Sequence, residues 1–425
     1  MDTAGKAVLF SGVTVLISLT AVMLVPSPAF RSMSLGIMLA VIFVLAATLT
    51  LLPAVLAKLG PRVDKLSLPW AHSGEHRSPR FAAWGERLWR HPLRYGIPAF
   101  VALVALAYPV TQLKTSMPSI KVVPGGDSSR VGYNQVQAAM GPGATGPLQL
   151  ITPASEAAAV QRVAHGDPGI VQVLSTQAGA NGMALITAIP RQDPSNPAVG
   201  ATIERLRGHL PAGTVLGGAA AENHDLQHVL SARTSLVIGV VLGLGFLLLL
   251  VALQAPLLAA VGVLTNVLAT GAAFGIAKWV FQDGALHSVL GFQSQGFLDA
   301  WGPVFFFAMI FAISMDYTVF LLSSAKEHWD RTHDAREAMV GGVAHSGRVI
   351  FAAGAVMVAV FFTFALSGPL PPKEMGIILG VAVLLDAMLV RLLLVPVLLR
   401  LMGRRAWYLP RWARRVLPNV TFGHS

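Results

Sequence analysis

The stretch FAISMDYTVF, Phe311 to Phe320, sets an aspartate and a tyrosine, Asp316 and Tyr317, inside a long apolar run. A carboxylate at mid-bilayer depth costs about 2.5–3.5 kcal/mol on insertion scales, so such residues mark ion or proton pathways or find a buried partner. A desolvated carboxylate can hold a proton and release it. An adjacent phenol can donate to the ionised form or accept from the neutral one. Each proton falling through 100 mV releases about 2.3 kcal/mol, enough to bias two packings of a helical bundle. The plain alternative is a neutral, hydrogen-bonded structural acid.

A second charged set, Asp386 and Arg391, lies in the apolar run around DAMLVR. On residue types alone it reads as a buried structural ion pair. Residues at i, i+5 do not face each other on an α-helix, so at least one is expected to reach the span carrying Asp316. The alternative is that Arg391 snorkels to the interface. The HDLQH stretch puts His224 and His228 at i, i+4 around Asp225. A zinc site needs three or four ligands, and no further cluster offers them, so a solvated helix is the better reading and no metal or other cofactor is expected.

These residues need helices to carry them. The chain has 425 residues, 54% hydrophobic and 12% charged, with a mean hydropathy of +0.64. Ordinary soluble domains carry about 25% charged residues, so this composition belongs to a polytopic α-helical membrane protein. About eight spans are expected, near 7–25, 33–57, 94–112, 235–253, 257–280, 302–323, 348–367 and 375–400. With no cysteine, disulfides and thiolate metal sites are excluded. The net charge of +11 gathers in 59–93 (Arg62, Lys65, Arg77, Arg80, Arg87, Arg90) and after the last span (Arg404, Arg405, Arg411, Arg414, Arg415). That asymmetry puts both termini in the cytoplasm of a bacterial plasma membrane and speaks for contact with anionic lipid, not nucleic acid. FAAWGERLWRH, 81–91, fits an interfacial amphipathic helix or a polar loop. Phe292, Phe297 and Trp301 could line an apolar path or anchor at the interface.

The domains expected are therefore transmembrane helices over 1–58, a basic loop over 59–93, one span over 94–112, an exported domain over 113–234, a five-helix bundle over 235–402 and a basic tail over 403–425. Within 113–234, apolar pieces at 146–152, 170–175, 182–189 and 214–219 alternate with helical periodicity at 155–165 and 197–210. Strand, helix, strand, strand, helix, strand is the α/β ferredoxin-like order. The chain also repeats itself: GKAVLFSGVTVLISL (5–19) matches GRVIFAAGAVMVAVF (347–361), and TLLPAVLAKLG (50–60) matches LLVPVLLRLMG (393–403). Paired repeats are a recurring transporter device. At that offset the counterpart of Asp316 falls before Met1, so four spans and one exported domain of a first repeat are expected to lie outside this chain.

SMDYTVFLLSSAKE, THDAREAMVGGVAHSGRVI, LLDAMLVRLLLVP and GRRAWYLPRW together resemble the MMPL (mycobacterial membrane protein large) exporters of the resistance-nodulation-division superfamily. The resemblance runs along essentially the whole chain and corresponds to spans five to twelve and the second porter domain of that family. It implies proton-driven export of lipids or hydrophobic small molecules through a relay between Asp-Tyr pairs on spans four and ten. Asp316 and Tyr317 match the tenth-span pair; the first pair has no position here. The resemblance also matches Asp386 and Arg391 to charged residues of span twelve, and places Ser11 on the stretch packed near the relay. The implied partners are the substrate, membrane lipids, a separately encoded N-terminal half and further copies of the chain. The competing readings are a non-transporting fragment and a lipid-sensing or assembly protein on the same scaffold. A membrane enzyme would need a catalytic set at one depth, such as HExxH, which the sequence lacks.

Overall fold

The computed structural model describes residues 2–60, 77–410 and 417, with the side chains of residues 2–4, 6, 7, 10 and 11 left out. The basic residues Arg62, Lys65, Arg411, Arg414 and Arg415 lie outside that description, as do much of the expected 59–93 loop and most of the 403–425 tail.

Leucine-, valine- and alanine-rich runs satisfy their own backbone only as helices in lipid, and several begin on a proline whose missing N–H costs nothing at a first turn. Helix α1 is Asp2–Val22, α2 Pro28–Leu59, α3 Pro79–Arg90 and α4 Pro92–Ala107. After the α/β domain come α8 Ala219–Leu253, α9 Pro256–Ala277, the short α10 His287–Leu290, α11 Gly302–Thr332, α12 Ala335–Phe364 and α13 Leu370–Leu385. A π-helical stretch, Asp386–Leu394, joins α13 to α14, Val395–Met402. Seven helices among the described residues are long and apolar enough to cross a membrane. That is one fewer than expected. The span placed at 7–25 falls on α1, of which Gly12–Val22 is the apolar described part.

Helix α11 is the axis of the bundle: Phe306, Phe311, Leu322 and Ala325 are almost fully buried. It packs against α1, α8, α12 and α13. Close approach needs small residues. A Cβ on Gly245 of α8 would collide with the Phe311 ring, and one on Gly354 of α12 would lie 3.0 Å from Ala387 of the π stretch. Outer faces of α2, α4 and α12 carry exposed Phe43, Val44, Leu51, Phe100, Val356 and Val360, as lipid-facing helices do.

Helix α3 covers protein, not lipid, with its apolar face. Leu88 is buried, Trp84 donates its indole N–H to the Leu392 carbonyl at 2.7 Å, and Glu86 pairs with Arg336 of α12 at 2.8 Å. Phe292 and Trp301 likewise pack on other aromatics, Phe281 and Phe306 respectively.

The α/β domain opens with β1, Thr115–Ser116, and α5, Ser128–Met140. Then follow β2 Leu148–Pro153, α6 Ala157–Gly166, β3 Ile170–Val173, β4 Gln177–Ala178, β5 Met183–Pro190, α7 Pro197–His209 and β6 Val215–Gly217. The main strands lie in the order β3-β5-β2-β6, each antiparallel to its neighbour. Leu148, Leu150, Ile186 and Ala188 alternate inward and bury against Val160 and Ala164 of α6 and Val199, Ile203 and Leu206 of α7. Helix α5 precedes the first strand of the ferredoxin-like order and is an addition to the pattern expected from the sequence. Asp127 caps it by accepting from the Ser129 N–H at 2.9 Å, and Tyr133 ties it to the domain through Asp193 at 2.8 Å. Strand β1 pairs in parallel with β7, Leu298–Asp299, just before α11, so the root of the domain is stitched to the bundle.

Candidate functional site

Asp316 sits midway along α11, half-buried, on the face turned to α1 and α2. Thr14 of α1 donates its hydroxyl to the Asp316 carboxylate at 3.1 Å. Asp316 and Tyr317 form part of the wall of a cavity of about 690 Å³, otherwise lined by side chains such as Val8, Val41, Leu45 and Phe320. Such a chamber of apolar wall with few polar groups is the usual form of a small-molecule site. The Tyr317 hydroxyl points away from Asp316, to the Met357 sulfur of α12 at 2.8 Å. The pair adjacent in sequence is therefore not a hydrogen-bonded pair here.

Asp386 and Arg391 are 1% and 0% exposed. Their nearest atoms are 3.1 Å apart, with Arg391 Nε donating to Asp386 Oδ2 at 3.2 Å. In an α-helix, five residues turn through about 140°, which is why the sequence argued against the pair facing one another. The structure corrects this: Asp386–Leu394 is π-helical, and i→i+5 bonding stacks residues five apart on one side. Arg391 also reaches α11, donating to the Ser314 carbonyl at 3.0 Å, and being fully buried it does not snorkel. The ion pair is thus moored two residues from Asp316 on the same helix.

Ser11 lies on the α1 backbone, but its side chain is outside the described residues. A polar contact from α1 comes one turn on, at Thr14, which the motifs did not single out. A hydroxyl in the apolar run GVTVLISL was the available signal. Ser314 and Met357 left none, because one acts through its backbone and the other is an ordinary apolar residue. His224 bonds Glu204 at 2.8 Å and Asp225 pairs with Arg207 at 2.6 Å. Among the described residues no group of three or more His, Cys, Asp or Glu could hold a metal.

These features define a multi-pass membrane protein with an intramembrane acid, a buried ion pair beside it and an α/β domain rooted on the bundle. The MMPL family profile matches residues 1–95 and 182–421, and the chain belongs to that family. It is 35% identical over 444 aligned positions to the mycolic acid-containing lipids exporter MmpL11 of Mycolicibacterium smegmatis, covering 99% of this chain and 46% of that protein. A heme uptake protein MmpL11 of Mycobacterium tuberculosis is also 35% identical, over 99% of this chain and 46% of that protein. Membrane protein YdfJ of Bacillus subtilis is 30% identical, over 100% and 60%. The chain spans about half the length of the curated relatives it matches. A heavy metal efflux pump of known structure shares the fold, with a TM-score of 0.55 at 13% identity over 94% of this chain and 58% of that one.

Proposed function

We propose that this chain works in proton-driven export of lipids or hydrophobic small molecules across the plasma membrane, with Asp316 as the residue that takes and releases the proton. The observation that carries the reading is an aspartate on the wall of an apolar cavity within the bundle, hydrogen-bonded to Thr14 and set two residues from the anchorage of a buried ion pair. Names of relatives as lipid exporters support the substrate class. Tyr317 serves the relay after a rotation that leaves Met357. Asp386 and Arg391 hold α13 and its π stretch against α11, so a change at Asp316 is felt there. Ser11 is a residue near the relay on the α1 side.

The β3-β5-β2-β6 order, with two helices on one face, supports reading 113–234 as a ferredoxin-like porter domain. Basic residues at 77–94 and 400–405 support cytoplasmic termini. The matching of about half of each relative supports a second half, supplied by the same or another chain, that completes the relay. No cofactor beyond the proton enters this scheme, and catalysis has no part in it.

The test is Asp316→Asn in the protein reconstituted in liposomes with an imposed proton gradient. Gradient-driven lipid translocation should fall to the background of empty liposomes while insertion and thermal stability stay unchanged. Undiminished translocation by the variant would remove Asp316 from the mechanism. Lipid binding that persists without any gradient-driven movement, in the parent and the variant alike, would favour the sensing reading.

A further inference from the structure

At the end of the bundle that carries the α/β domain lies a second pair of acids. Asp299 ends β7 and is 0% exposed; Glu374, in the second turn of α13, is also 0% exposed. Both Glu374 carboxylate oxygens and Asp299 Oδ2 lack a hydrogen-bond partner among the described residues. The Glu374 carboxyl lies near both the carboxyl and the backbone N–H of Asp299. The Asp299 carboxyl also meets Trp301 and Gln295, which donates to Asp299 Oδ1 at 3.1 Å. The Gln295 carbonyl oxygen accepts from the Ser119 N–H at 2.7 Å and hydroxyl at 2.9 Å.

The neighbouring charges are committed elsewhere. Lys373, next to Glu374 and 5% exposed, gives its ammonium to the Leu290 and Ala365 carbonyls at 2.7 and 3.3 Å. Lys278 pairs with Asp283 at 2.8 Å. His287 Nδ1 contacts the Gly284 carbonyl at 2.7 Å. Lys121 and Arg130 line the adjoining cleft with His287, and Arg130 bonds the Val123 carbonyl at 2.8 Å and Gln293. From α11 and from the paired β1, no ammonium, guanidinium or imidazole forms an ion pair with either acid among the described residues.

Two dry, adjacent carboxylates without a counter-ion cannot both ionise; a shared proton is the least costly way to satisfy them. We propose that Asp299 and Glu374 hold one bound proton between them, a proton site separate from Asp316 that clamps the root of the α/β domain to α13. Burial agrees, pushing Asp299 up to about 6 against the opposing pull of Gln295 and Trp301. Loss of the proton would leave like charges across the junction of β7 and α13. Because β7 is paired to β1, with Leu298 N–H on the Lys114 carbonyl at 2.9 Å and Ala300 N–H on the Ser116 carbonyl at 2.8 Å, the repulsion would act directly on the segment that enters the domain.

The test is infrared spectroscopy of the full chain in lipid nanodiscs, reading the C=O stretch of protonated carboxyl groups. It is run in an Asp316→Asn background, so the result does not depend on the export reading. At neutral pH the band should fall by one carboxyl per chain when Glu374→Gln is added, and by the same amount with Asp299→Asn instead. Both variants replace an acid by a neutral group of similar shape, and both should unfold at or above the parent temperature. An unchanged band in both variants would overturn the proposal. So would a band that vanishes on replacing choline chloride by sodium chloride, which would make the site one for a metal cation.

Discussion

At the scale of single residues, the Asp386–Arg391 pair shows how an intramembrane charge is made tolerable. Each group loses its hydration, and close contact with the other, plus the Ser314 carbonyl for Arg391, offsets that loss. Removing one partner leaves a buried charge alone, which costs about 3–5 kcal/mol. Asp386→Leu or Arg391→Met should each lower stability by that order in a detergent-unfolding series. The double variant should regain most of the loss, because apolar groups of similar volume need no partner. Losses that simply add would mean the two residues are not coupled. Asp316 differs in that a hydroxyl, that of Thr14, bonds its carboxylate, and a hydroxyl can accept from the neutral acid as well as donate to the ionised one.

At the scale of elements, the π stretch Asp386–Leu394 sets the direction of Arg391. Such widened turns often occur at functional sites. Deleting Met388 should return the stretch to α-helical bonding and leave Arg391 four residues from Asp386, a spacing that an α-helix also sets on one face. The expected result is that the ion pair survives, with stability near that of the parent and helix content by circular dichroism unchanged. A stability loss like that of Arg391→Met would show that the pair depends on the π geometry. Small residues serve the same end on α12, where Gly354 lets Ala387 of the π stretch approach.

At the scale of the whole molecule, α5 is held to the rest of the α/β domain by a polar knot at Asp193. Asp193 accepts from the Tyr133 hydroxyl at 2.8 Å, the Gln137 amide at 2.5 Å and the Ser195 N–H at 2.9 Å. Burial pushes its carboxyl up, but the hydrogen bonds from Ser195, Tyr133 and Gln137 outweigh it and hold it below 3.8. Burial also drives the Tyr133 phenol up to about 12, aided by Asp193, so it remains a donor. For an acid held low in the folded state, the stabilisation is complete above the ordinary value and is lost as pH falls through the folded one. Amide exchange over Ser128–Met140 should therefore be slow at pH 6 and faster once the pH falls below the ordinary carboxylate range, beyond the intrinsic pH effect. In Asp193→Asn that excess change should disappear. An unaltered profile in the variant would assign the anchoring of α5 to its apolar contacts.

How much of this could be read in the sequence follows from the range of the physics involved. Composition and apolar run length are local, so the membrane class, most of the spans and the alternation of strands and helices in 146–217 were legible in the order of residues. Asp316, Tyr317, Asp386 and Arg391 stood out for the same reason: a charge or phenol in an apolar run is conspicuous wherever the run goes. The family motifs added roles but no contacts. What only the tertiary structure decided are relations between distant segments or changes in helical period. These are Thr14 on Asp316, Tyr317 turned to Met357, α3 laid on protein, and the π turn that aims Arg391 back at Asp386. Asp299 and Glu374 were hidden for the complementary reason. Each lies near the end of an apolar run, where an acid is expected to meet water, and only the tertiary packing that leaves both 0% exposed takes that water away.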